Sequence, residues 1–309
     1  MVDGPHPESV ISRAGRTVAL KVHQCAWSGE FAPNSLDAVM DCYRARVARA
    51  EIDLAMLADQ DFLIVHDLEL SGATDGHGFA DETTRSAAVG LHLTHNRVGT
   101  RVHPALLSEV VAVVADEPYP TLLELDLKDW KPWPWPRVEE LARLLQPIKH
   151  RITFGGGADW NLRRLQRVDP TLPMGFTISD YLDWQPDDER IGRLPGVRGA
   201  YGYLDAHPLA RARLGTTTDY LRDRIGGIVR LVPGARDIHI RLLAVERMLE
   251  DGLTDLVELL HAQGMLLDVW TLNAGTPRWR ERLDGALAVG ADVITTETPR
   301  ELARAARPV

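Results

Sequence analysis

From about Thr17 onward, short apolar runs alternate with longer stretches whose apolar residues recur at helical spacing. The short runs are Val18–His23, Ala50–Leu54, Leu63–His66, Thr121–Lys128, Ile152–Phe154, Met174–Thr177, Gly199–Tyr203, Asp237–Arg241, Met265–Thr271 and Asp292–Thr295. The amphipathic stretches include Leu36–Ala48, Leu106–Ala115, Arg137–Leu145, Ala158–Val168, Leu253–Gln263 and Pro277–Val289. Strands that alternate with helices argue for parallel βαβ units. Ten candidate strands exceed the eight that close an α/β barrel. The surplus is expected near Gly199 and Asp237, where loops or helices are the alternative. At 309 residues the chain is long enough for two average domains, but a (β/α)8 TIM barrel takes roughly 250 residues as one. The expectation is one TIM-barrel domain over residues 1–309, with residues 1–16 as a flexible N-terminal extension.

Prolines such as Pro118, Pro147, Pro170, Pro233 and Pro299 punctuate the turns. The segment Asp129-Trp-Lys-Pro-Trp-Pro-Trp-Pro136 cannot lie in a helix interior, because proline recurs at every second position at its end. It follows a candidate strand, which in a barrel places it at the catalytic mouth. It is either an aromatic rim that grips substrate or a loop packed against the barrel edge.

The formal net charge of -9, with no basic stripe, argues against a nucleic-acid partner. An anionic substrate must then be attracted by a local site. The two cysteines, Cys25 and Cys42, form no metal-binding or redox motif, which fits a reducing compartment. The first fifteen residues lack the apolar core of a signal peptide, and no stretch has the length of a membrane span. A cytoplasmic protein is the expectation, with its oligomeric state open.

Candidate chemistry lies on the strands. In Glu51-Ile52-Asp53-Leu54 the two carboxylates share one face and the apolar residues the other. If the apolar face meets the helices, Glu51 and Asp53 point into the barrel near its active end. Two buried carboxylates need compensation, and a hard divalent cation supplies it. The run Leu123–Lys128 repeats the pattern, with Glu124, Asp126 and Lys128 on one face. His23 and His66 each end a candidate strand, within reach of the same pocket. An imidazole there suits proton transfer at neutral pH. Each of these signals alone fits an ion-paired strand or a structural histidine; together they point to a catalytic site.

The order His23, Glu51-x-Asp53, His66-Asp67, Asp126-x-Lys128, Trp270-Thr-Leu-Asn273 and Ala291-Asp-Val-Ile-Thr295 with Pro299 resembles the glycerophosphodiester phosphodiesterases. It is also similar to their relatives, the sphingomyelinase D type phospholipases. The resemblance runs from about Val18 to Ala305 and is weakest from Leu182 to Val245. It implies a barrel of the phospholipase C-like phosphodiesterase type. It further implies Glu51, Asp53 and Asp126 as ligands of Mg²⁺ or Ca²⁺, His23 and His66 as the catalytic pair, and Lys128 and Trp270 at the substrate. Asp126, rather than Glu124, falls at the ligand position, and Asp-Leu-Lys is the form typical of the sphingomyelinase D branch.

Three motifs depart from the family pattern. His23-Gln24-Cys25 stands where His-Arg-Gly is usual. Pro33-Asn34-Ser35 stands where Glu-Asn-Thr is usual. Gly72-Ala73-Thr74 stands where Arg-Thr-Thr is usual, although Asp75-Gly76 persists. The metal and histidine set is retained while phosphate-contacting side chains are thinned, so the substrate is less determined than the reaction.

The expected activity is metal-dependent cleavage of a small-molecule phosphodiester, a glycerophosphodiester or a lysolipid. Two histidines supply acid–base catalysis, with His23 favoured as base and His66 as acid, and a route through a cyclic phosphate stays open. Alternatives are a sphingomyelinase D-like phospholipase or lyase, a metal-dependent isomerase or lyase of sugars or acids, and a silent barrel that binds a phosphorylated ligand. Elsewhere, His92 and His95 have i, i+3 spacing with His103 nearby, but no carboxylate or cysteine completes a zinc set. Cys25 beside His23 lacks a third partner and reads as a small buried thiol. Thr216–Thr218 marks a turn or a helix start. The tryptophans of the 130–135 loop and Trp270 offer a cation–π box for a quaternary amine.

Overall fold

The computed structural model describes residues 4–13, 15–95, 98–182 and 215–307; the candidate strand Gly199–Tyr203 lies outside them. Eight strands form the barrel: β1 (Arg16–Val22), β2 (Arg49–Met56), β3 (Leu122–Leu127), β4 (Ile152–Gly156), β5 (Gly175–Thr177), β6 (Asp237–Arg241), β7 (Leu266–Trp270) and β8 (Val293–Thr296). Their order is β4-β3-β2-β1-β8-β7-β6-β5, parallel throughout. A parallel bridge between Phe154 and Met174 joins β4 to β5 and closes the barrel. The fold is a single (β/α)8 TIM barrel. Among the described residues, no helix is long and apolar enough to cross a membrane.

Of the two runs expected to be surplus, only Asp237–Arg241 falls among the described residues, and there the expectation is corrected. Asp237–Arg241 is barrel strand β6; its Asp-x-His-x-Arg face looks unlike a core strand because it points into a polar barrel interior. Among the described residues the run at Leu63 is the extra one: Phe62–Ile64 folds back antiparallel on the end of β2, pairing Leu54 with Ile64. His66 therefore follows a returning strand, not a barrel strand. Val10–Arg13 adds a second antiparallel strand, along β1.

Outward residues of the barrel strands, such as Leu20, Val22, Ile52, Leu54, Leu123 and Leu125, are buried against the helices. The helix Leu36–Ala45 starts at Ser35, whose hydroxyl accepts from the Ala38 N–H, and stops at Arg46 in the left-handed conformation. Within the proline-rich segment, Trp135 opens the helix Trp135–Leu144 with Pro136 in its first turn, where a missing N–H is harmless. Trp133 is fully buried, 5.4 Å from the Phe62 ring. Trp130 packs on Trp160, and Trp135 lies under the guanidinium groups of Arg164 and Arg167. Burial takes Trp133 out of reach of an aromatic box with Trp270.

Strand alternation fills the barrel axis with a polar layer. The Lys21 ammonium lies 2.6 Å from both Glu124 Oε1 and Asp268 Oδ2. His239 Nε2 is 3.3 Å from Glu124 Oε2 and 3.8 Å from Asp268 Oδ2, and Thr295 donates to Asp268 Oδ1. Burial opposes the charge on Lys21, but Asp268 and Glu124 outweigh it and raise its pKa. Lys21, Glu124, His239 and Asp268 each stand two residues before a mouth position: His23, just past the end of β1, and Asp126, Arg241 and Trp270 on their own strands. The layer is the floor of the site above it.

Candidate active site

Three of the four acidic side chains singled out in the sequence meet at the mouth. One carboxylate oxygen from each of Glu51, Asp53 and Asp126 lies within 4.8 Å of the other two. Glu51 and Asp53 are buried, and Asp126 is half-buried. Glu124 is not among them; it belongs to the floor with Lys21. Glycine at position 155 makes room for this packing. A Cβ there would stand 2.8 Å from Glu124 Oε1 and 3.0 Å from Asp126 Oδ1.

The shell around the carboxylates is dense. Gln24 donates its backbone N–H to Glu51 Oε2 at 2.8 Å and its side-chain amide to Asp53 Oδ2 at 3.0 Å. Gln24 adopts φ 50°, so the backbone is turned back toward the trio at a local conformational cost. Asn34 donates to Asp53 Oδ2 at 2.6 Å and accepts the Asp53 N–H. Lys128 lies 2.7 Å from Asp53 Oδ1 and 2.6 Å from Asp126 Oδ2.

These contacts leave the trio electrostatically unbalanced. Burial and the charge of Asp53 push Glu51 well above the usual carboxylate range. Burial works against ionisation of Asp53 as well, but Lys128, His66 and His23 outweigh it and hold Asp53 below that range. Glu51 Oε1 is buried without a hydrogen-bond partner among the described residues. A hard cation with oxygen ligands fits this set: it satisfies the orphan oxygen and reverses the unfavourable charge on Glu51.

The two histidines flank the trio, with ring centroids 6.5 Å apart. His23 Nε2 lies 3.9 Å from Glu51 Oε2, and its Nδ1 lies 3.1 Å from Glu297 Oε1. That hydrogen bond holds the Glu297 carboxyl below its usual range. Asn273 secures Glu297 from the other side, donating to Oε2 and accepting the Glu297 N–H. His66 Nδ1 lies 2.8 Å from Asp67 Oδ1 and likewise lowers the Asp67 pKa. Each ring therefore has a carboxylate on Nδ1, which leaves Nε2 for chemistry.

Trp270 ends β7, half-buried, with the Arg241 guanidinium 5.2 Å from its ring and no hydrogen-bond partner for its Nε1 among the described residues. Cys25 is buried, and burial pushes its thiol well up, which removes it as a nucleophile. Sequence reasoning missed Glu297, Asp67 as a partner of His66, and the floor residues Lys21, His239 and Asp268. The signal for Glu297 was its place directly after the β8 strand.

A model of the glycerophosphoryl diester phosphodiesterase family matches residues 26–301. Among solved structures, one from Silicibacter pomeroyi, assigned as a glycerophosphoryl diester phosphodiesterase, has 17% identity and a TM-score of 0.65, covering 97% of this chain and 96% of that one. A glycerophosphodiester phosphodiesterase assigned in Galdieria sulphuraria has 15% identity and a TM-score of 0.66, covering 96% and 98%. An Oleispira antarctica phosphodiesterase in complex with its product sn-glycerol-3-phosphate has 16% identity and a TM-score of 0.60, covering 93% and 95%. Comparison with curated proteins gives no match.

Proposed function

Because the chain belongs to the glycerophosphoryl diester phosphodiesterase family, we propose that it cleaves a glycerophosphodiester or a lysolipid by cation-assisted acid–base catalysis at the β2–β3 mouth. The enzyme is a phosphoric diester hydrolase. The observation that carries the finer reading is the convergence of Glu51, Asp53 and Asp126 beside two imidazoles whose Nδ1 atoms are both held by carboxylates.

Glu51, Asp53 and Asp126 would hold Mg²⁺ or Ca²⁺, with Gln24 and Asn34 fixing the first two carboxylates from behind. The ion would polarise a non-bridging phosphate oxygen and neutralise charge that builds at phosphorus. Lys128 adds a fixed positive charge at the same edge; it screens Asp53 and Asp126 and attracts the phosphate as a point charge. Trp270, half-buried at the opposite wall, lines the substrate site with its ring.

His23 is the base. Glu297 accepts its Nδ1–H, so the Nε2 lone pair is presented to the proton of the attacking oxygen. His66 is the acid. With Asp67 on Nδ1, its protonated form delivers the Nε2 proton to the leaving alkoxide oxygen. The attacking oxygen is water or the substrate's own neighbouring hydroxyl; the second choice gives a cyclic phosphate, the outcome tied to the sphingomyelinase D-like reading of Asp126-Leu127-Lys128.

The test is turnover of glycerophosphocholine, glycerophosphoethanolamine and lysophosphatidylcholine with Mg²⁺ or Ca²⁺, with and without a chelator. Phosphorus NMR separates open monoesters from cyclic products. Metal-dependent release of the alcohol is expected. Turnover that survives complete chelation would remove the cation from the mechanism, and absence of turnover on every diester would remove the proposed substrate class.

A further inference from the structure

The connection from β2 to β3 carries His66 near its start and a second pair of imidazoles further along. His92 and His103 lie against each other with ring centroids 4.5 Å apart and planes tilted by 37°. Both rings are reachable from solvent, His103 exposed and His92 partly so. Neither lies in a helix; the neighbouring Thr94–His95 is a short strand paired with Val98–Gly99, so the helical i, i+3 spacing does not apply.

Each ring has its Nδ1 pinned. His92 Nδ1 lies 2.9 Å from Asp75 Oδ2, and the His92 backbone N–H donates to Asp75 Oδ1 at 2.7 Å. These two hydrogen bonds hold the Asp75 carboxyl below its usual range, so it is ionised at neutral pH. His103 Nδ1 lies 2.7 Å from the Leu91 carbonyl oxygen. A carbonyl oxygen and an ionised carboxylate only accept, so both Nδ1 atoms carry the proton. In the neutral rings Nε2 then holds a lone pair. Neither Nε2 makes a hydrogen bond among the described residues.

We propose that His92 and His103 form a surface site for a nitrogen-preferring divalent ion of the Zn²⁺ class, with Asp75 and the Leu91 carbonyl as the outer partners that set both tautomers. A histidine that binds a metal commonly gives its other ring N–H to a carboxylate or a backbone carbonyl, and this pair has one of each. Imidazole donors suit Zn²⁺, Cu²⁺ and Ni²⁺, whereas the carboxylate trio at the mouth suits hard ions. The two sites therefore select different metals. Water completes the coordination at this exposed position.

The ion would join two arms of one connection. Asp75 N–H donates to the His92 carbonyl at 2.9 Å, and Leu93 N–H donates to the Val102 carbonyl at 2.8 Å, so the backbone already aligns the segments that carry Asp75, His92 and His103. Metal at His92 and His103 cross-links these segments in the connection that also presents His66.

The experiment is calorimetric titration of the full chain with Zn²⁺ in saturating Mg²⁺, which keeps the carboxylate trio filled. The same titration is run on the double variant H23A/H66A, because the mouth also holds an imidazole pair. One Zn²⁺ per chain is expected in both proteins. H92A and H103A should each lose that equivalent, and D75N should bind about 10- to 100-fold more weakly. H92Q and H103Q repeat the test with side chains closer in size, and unchanged Mg²⁺-dependent turnover verifies folding. The proposal is overturned if Zn²⁺ binding is absent from the wild type, survives in H92Q/H103Q, or disappears only in H23A/H66A.

Discussion

Glu51→Gln should abolish metal-dependent turnover and, in the metal-free protein, change how stability depends on pH. Glu51 is buried, and burial together with Asp53 raises its pKa well above the usual carboxylate range. Just above the ordinary carboxylate range the unfolded chain has released the Glu51 proton, while the raised pKa lets the folded, chelated protein hold it to higher pH. The folded state then binds one more proton than the unfolded state, so stability falls as pH rises. One proton corresponds to a loss of about 1.4 kcal/mol per pH unit. For a domain of this size that is a fall in Tm of roughly 2 °C per unit. Asp53 does not blur the window, because its lowered pKa confines its own contribution to more acidic solution. The assay is thermal melting in chelator at pH 5.5, 6.0 and 6.5 for wild type and E51Q. The wild-type slope should exceed that of E51Q by about one proton. Saturating Mg²⁺ should erase the difference, because a metal-bound Glu51 is ionised throughout. Parallel slopes in chelator would refute the claim that this carboxyl stays protonated in the empty site.

Three further outcomes follow from the geometry. His23→Ala and His66→Ala should each lower kcat by roughly 10²- to 10⁴-fold, while calorimetry shows Mg²⁺ affinity near wild type; a variant with near-normal kcat would release that histidine from proton transfer. Glu297→Gln removes the anion behind His23 Nδ1 and should lower kcat by on the order of tenfold or more with little change in KM, a split that a purely structural defect would not give. Lys21→Met leaves Glu124 and Asp268 without their shared ammonium, a change that costs about 3–5 kcal/mol. Chemical denaturation measures that loss, and adding E124Q and D268N should recover part of it.

The barrel was legible because its strands keep an apolar outer face: Leu123-x-Leu125-x-Leu127 and Ile52-x-Leu54 are plain in the chain, and so were the carboxylates between them. What hid was polar or non-local. Asp237–Arg241 reads poorly as a strand because its inward face is Asp, His and Arg, which make sense only beside partners from other strands: Arg49 for Asp237, Glu124 and Asp268 for His239, and Trp270 for Arg241. Leu63–His66 reads as a barrel strand because an antiparallel return has the same local pattern as a parallel strand. His66 still reaches the mouth, since the returning strand leads it back to the level of Asp53, whose carbonyl accepts the Val65 N–H. Glu297 was invisible as a partner of His23 because the two are 274 positions apart and meet only when β8 closes against β1.

The buried lysine below the mouth bears on how many hard ions the barrel can accept. Glu124, His239 and Asp268 bring ligand atoms as close together as the upper trio does. Lys21 already supplies that lower set with a tethered positive charge that chelators cannot strip and that solution ions must displace against two short contacts. The upper trio also meets an ammonium, that of Lys128, but it opens to solvent at half-buried Asp126 whereas the lower set is fully buried, so on the proposed reading an entering Mg²⁺ or Ca²⁺ would stop at Glu51, Asp53 and Asp126, at a depth where substrate can touch it.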